Sequence, residues 1–94
     1  MQHLAVLVVN FGSHDVMEMN LSRSVGDNFP GQVIVIDNFS SAQERRAVET
    51  VCDRHAWSLL SLPTNRGFGG DNNRGAELAI RRGATDLLLL NSDA

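Results

Sequence analysis

Four short apolar runs are spaced along the chain: Leu4–Val9 (LAVLVV), Val33–Ile36 (VIVI), Trp57–Leu62 (WSLLSL) and Leu87–Leu90 (LLLL). The first two are rich in Val and Ile and do not alternate with polar residues. That pattern predicts strands covered on both faces, as in a parallel sheet. The all-Leu run is ambiguous by propensity, and its length and its place between Gly83 and Asn91 favour a strand.

The segments between the runs carry helical spacing. Ser41-Ala42-Gln43-Glu44 has the form of a capping box, in which hydroxyl and carboxylate each satisfy a free backbone donor. Val48, Val51, Cys52 and His55 then fall on one helical face. Ala76, Ala79, Ile80 and Gly83 repeat that spacing, with Arg81 and Arg82 in the last turn and Gly83 as a C-cap. Met17, Leu21 and Val25 make a thinner stripe that ends at Gly26-Asp27-Asn28-Phe29-Pro30-Gly31. The order is β-α-β-α-β-α-β. This is an α/β class chain: a doubly wound, mostly parallel sheet with helices on both faces and right-handed crossovers. Ligands in such sheets bind at the carboxyl ends of the strands, near the reversal of strand order.

Composition bounds the rest. A chain of 94 residues and 10.3 kDa is one domain, residues 1–94. With 43% apolar and 20% charged residues it has globular usage. All eight basic residues are Arg, against 11 acids, for a net charge of −3. This excludes a broad nucleic-acid footprint and leaves room for a phosphate site built on one or two Arg. Cys52 is alone, so no intrachain disulfide forms and a reducing compartment is the simpler expectation. No apolar run is long enough to cross a bilayer, and the start lacks the charge of a signal peptide, so a cytoplasmic location is expected.

Polar residues collect at the strand ends: Asn10-Phe11-Gly12, Asp37-Asn38, Pro63 to Gly75, and Asn91-Ser92-Asp93. Asp37 can accept from a ligand N–H or a ribose hydroxyl, or simply begin a turn or cap a helix. The stretch Gly67–Gly75 holds four Gly in nine residues. It reads as a loop opening a helix, able to present free N–H groups to an anion, with Arg66 and Arg74 nearby. Its plain alternative is a connector with Asp71 or Asn72 as N-cap. With no Lys it is no Walker A loop, and a dinucleotide fingerprint would follow the first strand. Asp93 suits Mg²⁺ or Mn²⁺, or is a turn residue. Arg45-Arg46 reads as a solvated helix face. His14 reads as a surface residue and His55 as core or helix end, and the three His with one Cys show no zinc spacing.

These residues together resemble the nucleotide-binding half of a family-2 glycosyltransferase of the GT-A fold, of the bacterial rhamnosyl- and galactofuranosyltransferase-like branch. The resemblance rests on Val8-Val9-Asn10-Phe11, Val35-Ile36-Asp37-Asn38-Phe39-Ser40-Ser41, Asn65-Arg66-Gly67-Phe68-Gly69-Gly70-Asp71-Asn72-Asn73-Arg74-Gly75, Gly83-Ala84 and Leu88-Leu89-Leu90-Asn91-Ser92-Asp93-Ala94. It spans the whole chain in order.

The resemblance implies a site for a nucleoside diphosphate sugar carrying UDP or dTDP. Asn10 and Phe11 would lie beside the nucleotide, and Asp37 would accept from N3–H of uracil or thymine. Asn65, Arg66, Gly67 and Asn72 would line ribose and pyrophosphate. Asn91 would touch ribose or sugar, and Asp93 would hold Mn²⁺ or Mg²⁺. The implied reaction is inverting transfer to a saccharide or lipid-linked acceptor, in bacterial cell-wall or polysaccharide synthesis. Its base lies beyond Ala94, so the chain is expected to be a truncated donor half, inactive alone, near the inner face of a membrane in the longer enzyme. A free sheet edge is expected to make it a homo-oligomer. The rivals are a dinucleotide- or adenosyl-cofactor domain and a receiver-like signalling module.

Overall fold

A computed structural model describes residues 3–10, 12–26, 28–38, 41–62 and 67–90. Its elements run β1 (Leu4–Asn10), α1 (His14–Val25), β2 (Gln32–Asn38), α2 (Ala42–His55), β3 (Ser58–Leu62), α3 (Gly67–Arg81) and β4 (Asp86–Leu90). The four strands are parallel and ordered β3-β2-β1-β4. The alternating α/β sheet expected from the apolar runs is therefore what forms.

The order has a consequence for function. The chain steps outward from β1 to β2 to β3, then crosses back to lay β4 on the other side of β1. Strand order thus reverses at β1, and in sheets of this kind ligands bind beyond the carboxyl ends of the strands at such a reversal. A receiver-type sheet would place β1 between β2 and β3. Here β2 lies between β1 and β3, which removes the receiver reading.

Two apolar layers follow from the alternation of side chains along the strands. Val6, Val8 and Val35 face α1 and α2, against Met17, Leu21, Val48, Val51, Cys52 and Trp57. Ala5, Leu7, Val9, Ile34 and Ile36 face α3, against Ala79 and Ala84. β1 and β2 are buried on both faces, as their unbroken Val and Ile runs require. Burial pushes the Cys52 thiol up to about 12, reinforced by the charges of Asp53 and Asp37, so this thiol stays protonated.

Two expectations for α3 need correction. The glycine-rich stretch is not a loop before the helix; Gly67 to Gly75 are its first nine residues, which puts Asp71 and Asn72 inside the helix rather than at its cap. Gly75 shows why small residues belong there. A Cβ on it would come within 2.5 Å of Ile36 Cδ1, so glycine lets α3 lie close on β2. The inward face is consequently Gly75, Ala76 and Ala79, and Ile80 points outward at 60% exposure. Gly83 does close the helix, at φ +98° with its N–H on the Ile80 carbonyl.

β4 departs from the other strands. It pairs with β1 alone among the described residues, and Leu87, Leu88 and Leu89 are exposed at 39%, 48% and 50%. Successive residues point to opposite faces, so both faces of β4 as well as its outer edge are apolar and open.

Candidate functional site at the carboxyl rim of the sheet

Register sets the site. Asn10 pairs with Asp37 across β1 and β2, and Asn38 pairs with Leu62 across β2 and β3. On the other side β4 ends at Leu90, which pairs with Val8, two residues short of Asn10. The carboxyl ends of the strands therefore share one rim, and α3 starts from the same side at Gly67. Three polar side chains are buried there: Asn10, Asp37 and Asn38. Burying polar groups at the end of an apolar sheet is costly unless each has a partner, so their partners are informative.

Asn10 is fully engaged by the fold. Its Nδ2 donates to Glu44 Oε2 at 3.0 Å, and its Oδ1 accepts from the Ser13 amide at 3.3 Å. Glu44 also accepts from the His14 amide at 2.9 Å and lies 2.8 Å from His14 Nδ1. A carboxylate from α2 thus caps the start of α1, where free N–H groups and the helix dipole favour negative charge. The capping box of α2 is half made as a result. Ser41 Oγ accepts from the Glu44 amide at 3.0 Å, but the Glu44 carboxylate reaches across to β1 and α1.

Burial pushes the Glu44 carboxyl up. Hydrogen bonds from Asn10 and His14 and the charge of His14 outweigh that, and its pKa ends below the ordinary 4.5. A depressed carboxylate stabilises the fold above its unfolded value and loses that contribution as pH falls through the folded one. The thermal midpoint is expected to drop steeply below pH 4.5, and Glu44→Gln to soften that acid slope. Scanning calorimetry from pH 7 to 3 checks this; identical slopes in both proteins would refute it.

Asp37 is 1% exposed, and its two oxygens differ. Arg45, from the first turns of α2, donates through Nε to Oδ2 at 2.8 Å. The Arg45 Nη2 reaches the main-chain oxygens of Asp37, at 3.5 Å, and of Leu62. Among the described residues, Oδ1 is buried with no hydrogen-bond partner, and so is Oδ1 of Asn38. Arg46 is exposed as expected, but the solvated-face reading fails for Arg45, whose side chain is 23% exposed and ties the ends of β2 and β3 together. Its missed signal was position: Arg45 lies four residues after the cap Ser41, close enough to reach back to the strand that precedes it.

The remaining expected site residues divide simply. Gly67 begins α3, and Asn72 lies within it. Phe11, Asn65, Arg66, Asn91 and Asp93 lie outside the described residues. Among the described residues no group of three or more His, Cys, Asp or Glu could hold a metal ion, so the divalent-ion expectation rests on Asp93. No helix there is long and apolar enough to cross a membrane.

Two clefts flank this arrangement. One of about 200 Å³ is lined by His14, Ser41, Gln43, Glu44 and Ala47, on the same rim as Asn10 and Asp37. A larger one, about 380 Å³, lies at the opposite rim between Phe29, Val33, Arg54, His55 and Trp57. Its polar groups are spoken for. Arg54 and His55 both bind Glu18 Oε2, at 2.6 and 2.7 Å, and His55 stacks on Trp57 at 4.1 Å, so His55 serves the helix end as expected. The His55 hydrogen bond leads in holding the Glu18 carboxyl below its usual range. The rim with the unsatisfied carboxylate is the better candidate: Gln32 Oε1 is also unpartnered among the described residues, at the amino end of β2, but sheets of this kind bind ligands at the carboxyl ends of their strands, where Asp37 lies.

Comparison with known proteins returns the fold. No family model matches the chain, and no curated protein matches it in sequence. Solved structures do match. The mannosyltransferase PcManGT from Pyrobaculum calidifontis, in complex with GDP-Man and Mn²⁺, superposes with a TM-score of 0.75 at 21% identity over 98% of this chain. Two structures of S. aureus TarS superpose at 0.65 and 0.66, each with 24% identity over 96% of the chain. The chain spans 28% of the PcManGT chain and 27% and 16% of the TarS chains. It has the fold of one part of these longer proteins.

Proposed function

We propose that the chain is the donor-binding half of a family-2, GT-A glycosyltransferase, taking a UDP- or dTDP-sugar for inverting transfer. The observation that carries this reading is Asp37. A buried carboxylate at the end of β2, level with the end of the central strand, keeps one oxygen without a donor among the described residues. The N3–H of uracil or thymine is a donor of the right kind. The fold shared with a mannosyltransferase that binds GDP-Man and Mn²⁺ supports a sugar nucleotide over other ligands. The dinucleotide rival shares this strand order, but the turn after β1 reads Asn10-Phe11-Gly12-Ser13-His14 and lacks its glycine fingerprint.

In this reading Asn10 and Phe11 lie beside the nucleotide, Asn10 through its main chain, since its side chain serves Glu44 and Ser13. Asn65, Arg66, Gly67 and Asn72 take ribose and pyrophosphate, with Arg66 giving charge-assisted bonds. Asn91 touches ribose or sugar, and Asp93 supplies oxygen to Mn²⁺ or Mg²⁺. When bound, that ion neutralises charge on the diphosphate leaving group. The acceptor hydroxyl belongs to a saccharide or lipid-linked substrate, and none of the residues assigned here serves as its base, so these residues are expected to bind donor without transferring the sugar by themselves.

Titration calorimetry with UDP and dTDP in the presence of Mn²⁺ tests the reading. A Kd of about 1 mM or tighter is expected, with weaker binding of ADP. Tighter binding of NADH or S-adenosylmethionine than of either would overturn it. The open edge and exposed leucines of β4 carry a second proposal, that two copies associate through that edge. Sedimentation at high concentration should show dimers or larger species; a clean monomer refutes it.

A further inference from the structure

We propose that Arg45 is a positioning residue that sets base specificity: by holding Oδ2 of Asp37 it leaves a one-acceptor site, matched to the single ring N–H of uracil or thymine and mismatched to guanine. This rests on the donor-site reading above and goes beyond it, because it assigns the selection among nucleobases to a residue that need not touch the ligand.

A carboxylate with both oxygens open is a two-acceptor surface. It pairs naturally with two parallel donors, and guanine presents such a pair in N1–H and the N2 amino group. Asp37 does not offer that surface. Its Oδ2 is covered by the Arg45 Nε–H at 2.8 Å, on a guanidinium whose Nη2 is itself fastened to the Asp37 and Leu62 carbonyl oxygens. The planar fork fixes the carboxylate's rotation from two strand ends at once, which a single ammonium could not do. What remains is Oδ1, buried and without a donor among the described residues.

Each base then meets a defined outcome. Uracil and thymine place one N–H on Oδ1 and leave no buried donor over. Guanine satisfies N1–H and strands its amino group, and an unpaired buried donor is penalised heavily. Cytosine and adenine bring a bare ring nitrogen against an acceptor. The site therefore ranks UDP and dTDP first, GDP next, and CDP and ADP last. Sites that recognise a substrate by hydrogen bonding discriminate in this way, because the mismatched ligand leaves polar groups unpaired.

The test is the UDP-to-GDP affinity ratio, measured by titration calorimetry on the 94-residue chain and on its Arg45→Met variant. The wild type is expected to favour UDP by about tenfold or more. Arg45→Met uncovers Oδ2, so UDP should weaken while GDP holds or strengthens, and the ratio should fall to about one. A general loss of structure would weaken both nucleotides together and leave the ratio in place. Arg46→Gln, on the exposed neighbour, should change neither affinity. Should the Met variant not fold, Arg45→Lys is read by the same ratio, which is expected to drop at least about threefold as the fork is lost. The proposal is overturned by a wild-type ratio near one, or by a folded Arg45 variant that keeps the wild-type ratio. If UDP, dTDP and GDP all fail to bind the wild type, the donor-site reading falls and this one falls with it. Binding with an unmoved ratio removes Arg45's role alone.

Discussion

Asp37→Asn is expected to reverse the pairing preference of the site rather than merely weaken it. The substitution is isosteric, so packing at the end of β2 changes little. What changes is the pattern of donors and acceptors. The Arg45 Nε–H at the Oδ2 position is a fixed donor, so the new carboxamide must turn its oxygen toward it. That places the NH₂ where Oδ1 stood, and a donor now faces the ligand. Uracil and thymine would meet it with N3–H, donor against donor, while cytosine would meet it with a bare N3. UDP and dTDP affinity should fall about 10–100-fold, the range for losing a charge-assisted bond and leaving donors unpaired. CDP should gain on UDP in the same titration series. Unchanged UDP binding in a folded Asp37→Asn variant would remove Asp37 from the site. Equal losses for UDP and CDP would mean that Asp37 acts through structure and not through pairing.

The residues at the carboxyl rim are unequally visible in the sequence. Asp37 was legible because it directly follows an unbroken Val-Ile run, and a polar residue there must sit at a strand end. Asn10 was legible for the same reason. Arg45 and Glu44 were not. Glu44 fits a local capping box, and the local rule stops at Ser41, whereas its carboxylate is drawn to Asn10 and His14 by the pairing of β1 with β2. An arginine on the first turns of an amphipathic helix reads as solvated by periodicity alone. Whether it bends back to the preceding strand is decided by the tertiary approach of α2 to β2 and β3, which spacing does not encode.

The fold follows a similar division. The strands could be placed from their apolar runs, because residues buried on both faces leave no alternation to misread. α3 was harder. Its glycines suggest a loop by propensity, yet Gly75 is favoured inside the helix because the close approach to Ile36 needs it, and there tertiary packing overrides the intrinsic preference. Ile80 faces outward for a related reason. Once Gly75 defines the line of closest approach, a residue five positions on lies well round the helix from it.

Gly31→Ala is expected to be among the most damaging small substitutions in the chain. Gly31 sits immediately before β2, where the chain passes the start of β1. A Cβ there would lie 2.2 Å from the Leu4 carbonyl oxygen and 2.8 Å from Phe29 Cε2. The first contact is with backbone at the edge of the central strand, which cannot swing aside as a side chain can. Relief requires β1 and β2 to separate at their amino ends, and that strains the Ala5–Gln32 pairing and the packing of Phe29. Overpacking of this kind costs about 1–3 kcal/mol. A domain of this size holds only about 5–14 kcal/mol in total. At about 4–8 °C per kcal/mol, the thermal midpoint should fall by about 5–20 °C. Gly75→Ala is the informative contrast. Its nominal contact is nearly as short, at 2.5 Å, but it is with Ile36 Cδ1, the far end of a side chain that can change rotamer. It should cost clearly less than Gly31→Ala. Denaturant melts of the two variants beside the wild type decide the matter: if the order is reversed, or if Gly31→Ala lies within about 0.5 kcal/mol of the wild type, β1 and the turn before β2 do not approach as closely as the fold requires.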